Sequence, residues 1–342
     1  MQLNKITAGT FYLDGAVNLG LVTAAPNRAV LIDTGLDESV GRKVRALLAA
    51  QGLRLEAIVI THAHADHCGG APFLAKATGA KVYAPAQERA VLEAPILEPV
   101  YLFGGAYPPA ALRSKFFLAP GVRVDEVIQF GSDPTAAGAE GRAGATAAAP
   151  ELADFGVEFL PLPGHTLGQV GVSVPGVLFC ADAVVGPEVV EKHGVPLNAD
   201  IARTLATFDV LDGFGEGEVG GASDRLPAGP LGHSPAAAML FVPAHGRPVA
   251  DIRPVVAANR RRVTATIDLI LGLLERPRTA EEVLAAVGQA TGVTITNLGQ
   301  YYLMHLTIMA YLGYLLDGGR IATGYEANRQ LFGRLLQPGS FA

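Results

Sequence analysis

Residues 61–67 read Thr-His-Ala-His-Ala-Asp-His. Four side chains in that run, His62, His64, Asp66 and His67, can each offer a lone pair to a metal ion. His62 and His64 lie two apart at the end of an apolar, extended-type stretch, where alternate residues leave on the same side, so the pair can grip one cation. Asp66 and His67 follow in a turn toward Gly69-Gly70, a glycine pair that frees the backbone, and can face a second cation close by. Neutral imidazole and carboxylate suit zinc, and also iron or manganese.

Further donors must come from elsewhere in the chain. His165 sits in Pro-Leu-Pro-Gly-His-Thr, Asp182 follows the apolar run Val177–Cys180, and His245 sits in Phe-Val-Pro-Ala-His-Gly. Each follows a strand-like segment, and α/β folds gather their sites at the C-terminal ends of strands. Upstream, Phe11–Leu13, Leu19–Thr23 and Ala29–Ile32 read as strands separated by turn residues. Ser39–Ala50 reads as a helix with Val40, Val44, Leu47 and Leu48 on one face, ended by Gly52. Ala57–Ile60 is a strand leading into the His cluster, and a helix at Pro72–Thr78 precedes a strand at Lys81–Tyr83. That order predicts an α/β layered domain.

The whole series, THAHADH, then PGHT, then an Asp after an apolar strand, then AHG, resembles the metallo-β-lactamase superfamily over residues 1–250. The resemblance implies a four-layer αβ/βα sandwich with metals at one edge of its two sheets, and a glyoxalase II-like ligand set. His62, His64 and His165 would hold one ion, Asp66, His67 and His245 a second, and Asp182 would bridge them. Two divalent ions are then expected, with zinc preferred over iron or manganese. Ions roughly 3.5–4 Å apart lower the pKa of a shared water toward about 7, so hydroxide is available to attack a carbonyl or phosphoryl centre. Asp66 is the candidate catalytic residue, orienting that nucleophile.

Half of the 342 residues are hydrophobic, 17% are charged and the net charge is −6. A sizeable core follows, and a protein built to coat nucleic acid does not. From Arg253 onward there are nine Arg against six Asp and Glu, a net of +3, so residues 1–252 carry −9. Residues 1–252 are read as the catalytic domain and 253–342 as a separate helical unit. In the tail, Val263–Leu274 has helical spacing and Thr279-Ala-Glu-Glu282 resembles a capping box. Leu298, Tyr302, His305, Met309, Leu312 and Leu316 form a third helical stripe. With a strand or hairpin at Arg320–Tyr325, this resembles a winged helix, whose apolar surface suits packing or a homodimer better than DNA reading. Two cysteines, no signal-peptide pattern and no membrane-length apolar run make a cytoplasmic protein with no membrane contact the expectation.

Residues 85–125 mix Pro with aromatics and read either as a surface elaboration or as a pocket wall; Tyr101 and Tyr107 are its candidate substrate contacts. His193 is a third such candidate, and not a metal ligand. His305 reads as a packed core residue and His233 as solvated. Arg260-Arg261-Arg262 reads as a solvated helix start, and Cys68 and Cys180 as small apolar packing. The Ala/Gly-rich stretches 131–150 and 212–232 read as surface loops. Asp182 disfavours a true β-lactamase of this fold, which generally lacks it. The 62 residues between Asp182 and His245 leave no room for the inserted domain of RNA-processing relatives, and His64 stands where flavin-partnered diiron relatives have Glu. Four readings remain open: hydrolase of a small-molecule ester, thioester or lactone; phosphodiesterase or ribonuclease; mononuclear iron persulfide dioxygenase; non-catalytic DNA-binding regulator.

Overall fold

The computed structural model describes residues 1–130, 147, 148, 150–215 and 239–334. Four strands, β1 (Leu3–Lys5), β2 (Thr10–Leu13), β3 (Leu19–Ala24) and β4 (Arg28–Ile32), pair antiparallel in sequence order. Short turns permit only that geometry. The helix α1 (Glu38–Ala50) then carries the chain across to β5 (Arg54–Val59), parallel to β4. After α2 (Ala65–Cys68) and α3 (Ala71–Thr78) comes β6 (Lys81–Pro85), and after α4 (Ala86–Glu93) and α5 (Leu97–Leu102) comes β7 (Glu126–Ile128), both parallel additions. The result is a seven-stranded mixed sheet.

The second sheet has five strands, β8 (Ala147–Ala148), β9 (Glu158–Pro161), β10 (Val170–Val174), β11 (Val177–Ala181) and β12 (Leu240–Pro243). Its first four members pair antiparallel and β12 adds in parallel beside β11, after α6 (Pro187–His193) and α7 (Ile201–Asp212). The tail consists of α8 (Arg253–Leu273), α9 (Ala280–Thr291), α10 (Leu298–Asp317) and the antiparallel hairpin β13 (Ile321–Glu326) and β14 (Arg329–Arg334).

The inner strands are apolar on both faces because both are covered. In β4, Val30 and Ile32 face one cluster with Phe159, Val172 and Phe179 of the second sheet, while Ala29 and Leu31 face another with Val44, Leu48 and Leu74. In β11 the same alternation sends Val177 and Phe179 inward, and Leu178 and Cys180 out toward α7, α8 and α10. Helices therefore cover the outer face of each sheet. The outer cluster of the second sheet runs without a break from Leu160 through Val256 and Val263 to Tyr311 and Phe332.

Several tail features differ from expectation. The helix α8 begins at Arg253, ten residues before Val263, and Pro254 stands in its first turn, where a proline's missing N–H costs nothing. The Arg260–Arg262 run is thus mid-helix, and Arg260 pairs with Asp209 and Asp212 of α7 at 2.9 Å each. In α10 the buried stripe is Met304, Thr307, Ile308, Tyr311, Leu312 and Leu315, whereas Leu298 and Met309 of the expected stripe are exposed. His305 is half-buried and stacks on Tyr301. The capping box at α9 forms as expected, Glu282 N donating to Thr279 Oγ1 and Thr279 N to Glu282 Oε2. His233 and most of the two Ala/Gly-rich stretches lie outside the described residues. Among the described residues no helix is long and apolar enough to cross a membrane.

Candidate metal centre

The side chains that converge do so because strands of both sheets end at one edge. After β5, Thr61 N and Oγ1 each donate to the Asp33 carboxylate at 2.8 Å, which pins the start of the THAHADH loop. His62 is fully buried, and its Nε2 lies 3.1 Å from His64 Nδ1, which lies 2.9 Å from His165 Nε2. These three nitrogens form one compact triad. Asp66, His67 and His245 form a second, and His62, His67 and Asp182 a third that joins them; within each, the donor atoms lie within 4.8 Å of one another.

Asp182 stands at the junction. Its Oδ2 is 3.3 Å from His165 Nε2 and 3.6 Å from His245 Nε2, and its Oδ1 is 3.5 Å from His67 Nε2. Ala181, the residue before it, has a φ of 48°, the left-handed region that costs a non-glycine residue about 1–2 kcal/mol. Asp33 shares that region with a φ of 58°. Strain of this kind persists where surrounding contacts over-determine it.

Outer contacts fix which nitrogen points inward. His67 Nδ1 faces Asp33 Oδ2 at 2.7 Å, His165 Nδ1 faces the Leu197 carbonyl at 2.8 Å, and His245 Nδ1 faces the Ala16 carbonyl at 3.0 Å. With each Nδ1 donating there, a neutral ring turns its Nε2 lone pair toward the centre. His67 Nε2 and Asp182 Oδ1 are buried there without a hydrogen-bond partner, an arrangement that is costly unless a cation satisfies them. The donor set therefore fits divalent metal ions.

Electrostatics agree. Burial, reinforced by the neighbouring imidazoles, holds His62 far below the usual imidazole range and His64 down to about 3, so both rings are neutral donors. Burial would also lower His67, but Asp33 and Asp182 outweigh it and raise the group; Asp182 and Asp66 do the same for His245. Burial raises Asp66 and Asp182, yet the imidazoles prevail, leaving Asp66 at about 2 and Asp182 well below the carboxylate range. Cations entering such a site displace the imidazole protons and take over the pairing.

Three glycines make the geometry possible. Gly69 and Gly70 were expected to free the backbone, yet their φ are −63° and −85°, open to any residue; a Cβ on Gly69 would lie 1.9 Å from the Leu36 carbonyl oxygen, so the pair permits close packing under the loop. Gly164, just before His165, does need glycine: its φ is 134°, and a Cβ would lie 2.7 Å from Thr204 Cα.

A cavity of about 700 Å³ opens onto the donors and is walled by α6, α10 and part of the 85–125 segment. Phe116 and Phe117 line it, while Tyr101 and Tyr107 are exposed and do not. The side chain of His193, last residue of α6, lies outside the described residues.

The family model of the metallo-beta-lactamase superfamily matches residues 12–226. This chain belongs to that superfamily. It is 28% identical over 151 residues to a hydroxyacylglutathione hydrolase of Methylobacillus flagellatus, and 30% identical over 159 residues to one of Dechloromonas aromatica. These matches cover 44% and 46% of this chain and span only 42% and 41% of the relatives' lengths. A crystal structure of a beta-lactamase domain protein from Burkholderia ambifaria superposes with a TM-score of 0.67 at 17% identity, covering 97% of this chain and 94% of that one. That superposition takes in nearly the whole chain, whereas the family model ends at residue 226.

Around this metallo-β-lactamase centre, three acidic residues escaped the sequence reading. Asp33 could have been found in Leu-Ile-Asp-Thr-Gly, where a charge ends a buried strand. Glu88 is buried in α4 and accepts from Ala63 N at 2.9 Å, Thr166 Oγ1 at 2.7 Å and Gly168 N at 3.0 Å, tying the two loops of the first triad together. Glu98 lies 3.6 Å from His64 Nε2 on the cavity wall. Neither has a local sequence signal. The two cysteines are buried with their thiols pushed up by burial, Cys180 to about 12, as inert packing residues should be.

Proposed function

We propose that this chain is a dinuclear metal-dependent hydrolase of a small thioester, ester or lactone. The observation that carries the reading is Asp182, a single buried carboxylate within 3.3–3.6 Å of inward nitrogens from both triads. His62, His64 and His165 would hold one ion and Asp66, His67 and His245 the other, with Asp182 between them. Zinc suits the set, and iron or manganese could occupy it. Bound divalent ions acidify water and polarise an acyl oxygen.

The chain's own residues supply position. Asp66 has the most open side chain of the donors, 40% exposed, and as a carboxylate at neutral pH it can accept a hydrogen bond from water at the cavity face. Buried His62 and His67 keep the rear of the centre dry. For a thioester, water adds to the acyl carbon and the C–S bond breaks. A carboxylate, a thiol and one proton leave. The hydroxyacylglutathione hydrolases that this chain resembles are named for cleavage of this class.

No Lys or Arg stands among the described residues lining the cavity. Beyond the metal-donor side chains, the one charged side chain among the described residues of that lining is Glu98, so nothing there would hold flanking phosphates, which disfavours the nuclease reading. The complete second triad supports two ions over the single iron of a dioxygenase. In α10 the apolar face is taken up by core packing, which leaves the regulator reading without a recognition surface on that helix.

Elemental analysis of the purified protein, with D182A and H64A beside it, tests the reading together with a panel of thioester, lactone, β-lactam and bis(p-nitrophenyl) phosphate substrates. Two metal equivalents, acyl cleavage and loss of both in the variants are expected. Unchanged metal content and unchanged activities in D182A and H64A would overturn it.

A further inference from the structure

We infer that the acyl half of the substrate is an extended apolar chain, seated in the part of the cavity between α6 and α10. This deepens the hydrolase reading and rests on it for the position of the scissile bond. The wall beyond the metal donors is made by Val189, Val190, Val195, Ile295, Leu303 and Met304. Asn259, Thr307 and Gln300 on that wall already bond within the fold. Asn259 Nδ2 donates to the Val185 and Val255 carbonyls, and its Oδ1 accepts from Val185 N. Thr307 Oγ1 donates to Leu303 O, and Gln300 Oε1 accepts from Thr296 N and Oγ1.

A polar or charged group packed against those six apolar side chains would lose its water and gain no hydrogen bond from them, at a cost of about 1–3 kcal/mol or more. An apolar chain loses nothing and removes its own surface from water. The volume, about 700 Å³, lies within the roughly 300–1,000 Å³ range of small-molecule sites, enough for a leaving group near the donors and a chain behind it. Absence of Lys and Arg from the described residues of this lining also leaves no counter-charge for the carboxylates of a peptide-like thiol. A hydrocarbon acyl chain is the part of such a substrate that matches this wall.

The holoenzyme is tested on p-nitrophenyl esters from acetyl to dodecanoyl, and separately for binding of acetate, butyrate, hexanoate and octanoate by calorimetry. Expected is a kcat/KM that rises by up to about fourfold per methylene and then levels, with carboxylate affinity rising in parallel. In V189F and L303W the ratio of long-chain to acetyl kcat/KM falls at least tenfold; a ratio is insensitive to the folded fraction. Esters cleaved with no chain-length preference, or ratios unchanged in both variants, would overturn the acyl site and leave the hydrolase reading standing. Chain-length-dependent binding with no hydrolysis of any ester would sink the hydrolase reading and keep the apolar site.

Discussion

Asp33 and His67 come from different turns of one sheet and meet at 2.7 Å, Oδ2 to Nδ1, with both groups almost fully buried. The same carboxylate holds Thr61 through two further bonds, so one residue sets both the start of the His cluster and the ring plane of its last member.

Asp33 sits in the left-handed region, which Asn tolerates and Ala does not. D33N thus removes the charge without changing the backbone, whereas D33A adds strain. D33N is expected to weaken cation affinity by about 10–100-fold, as loss of a ligand's outer partner typically does, and D33A to lose stability as well. Competition with a chromogenic chelator measures the first, and thermal unfolding of the metal-free protein the second.

Gly164→Ala forces a Cβ against the first turn of α7, where Ala199 N and Asp200 N both donate to the Gly164 carbonyl. We expect a loss of about 1–3 kcal/mol from the clash, with the left-handed penalty added. His165 moves with the loop. Denaturant unfolding with and without metal should show that the holo form loses more than the metal-free form.

Glu88 satisfies three donors at once, so E88A leaves two N–H groups and a hydroxyl unpaired at about 1–3 kcal/mol for each that stays dry. E88Q keeps the volume and the acceptor for one loop, but turns an NH₂ toward a donor of the other. The melting temperature is expected to fall in the order wild type, E88Q, E88A, with affinity for the first cation falling alongside.

Glu98 gives a pH signature. Burial first, and then Glu88, raise its carboxyl from the ordinary 4.5 to about 7. The folded chain holds this proton more tightly than the unfolded chain does. Its contribution is complete below about 4.5 and is lost as pH rises toward 7. In the metal-free protein, E98Q should therefore match wild type near pH 4 and exceed it at pH 8, by something on the order of 1–3 kcal/mol. Equal stability differences at the two pH values would refute the assignment.

Much of the donor set was legible because its spacing is local: four donors in six residues, and three more after apolar strands. The layered α/β order was legible too, since the inner strands are short apolar runs bounded by Gly and Pro. Asp33, Glu88 and Glu98 were not, because a lone carboxylate looks the same in a chain whether it is solvated or buried against a ligand. The face of α10 was misplaced for a different reason. That helix carries Leu, Met, Ile and Tyr around most of its circumference, so periodicity cannot choose between a stripe through Met309 and one through Ile308. The early start of α8 was marked by Pro254, whose preference for a first helical turn went unread.

The ring of His245 is aimed by the carbonyl of Ala16, 229 positions earlier, and the same junction is held by Asn18, whose Nδ2 donates to Pro243 O and Gly246 O. Closing a loop of that length costs chain entropy before the contact rewards it. His62, His64 and His165 need only the β5 and β9 ends to meet, but the Asp66–His67–His245 group waits for β12 to dock beside β11. A nascent or clipped chain without β12 would thus keep the His62, His64 and His165 cluster yet lack the complete Asp66–His67–His245 group.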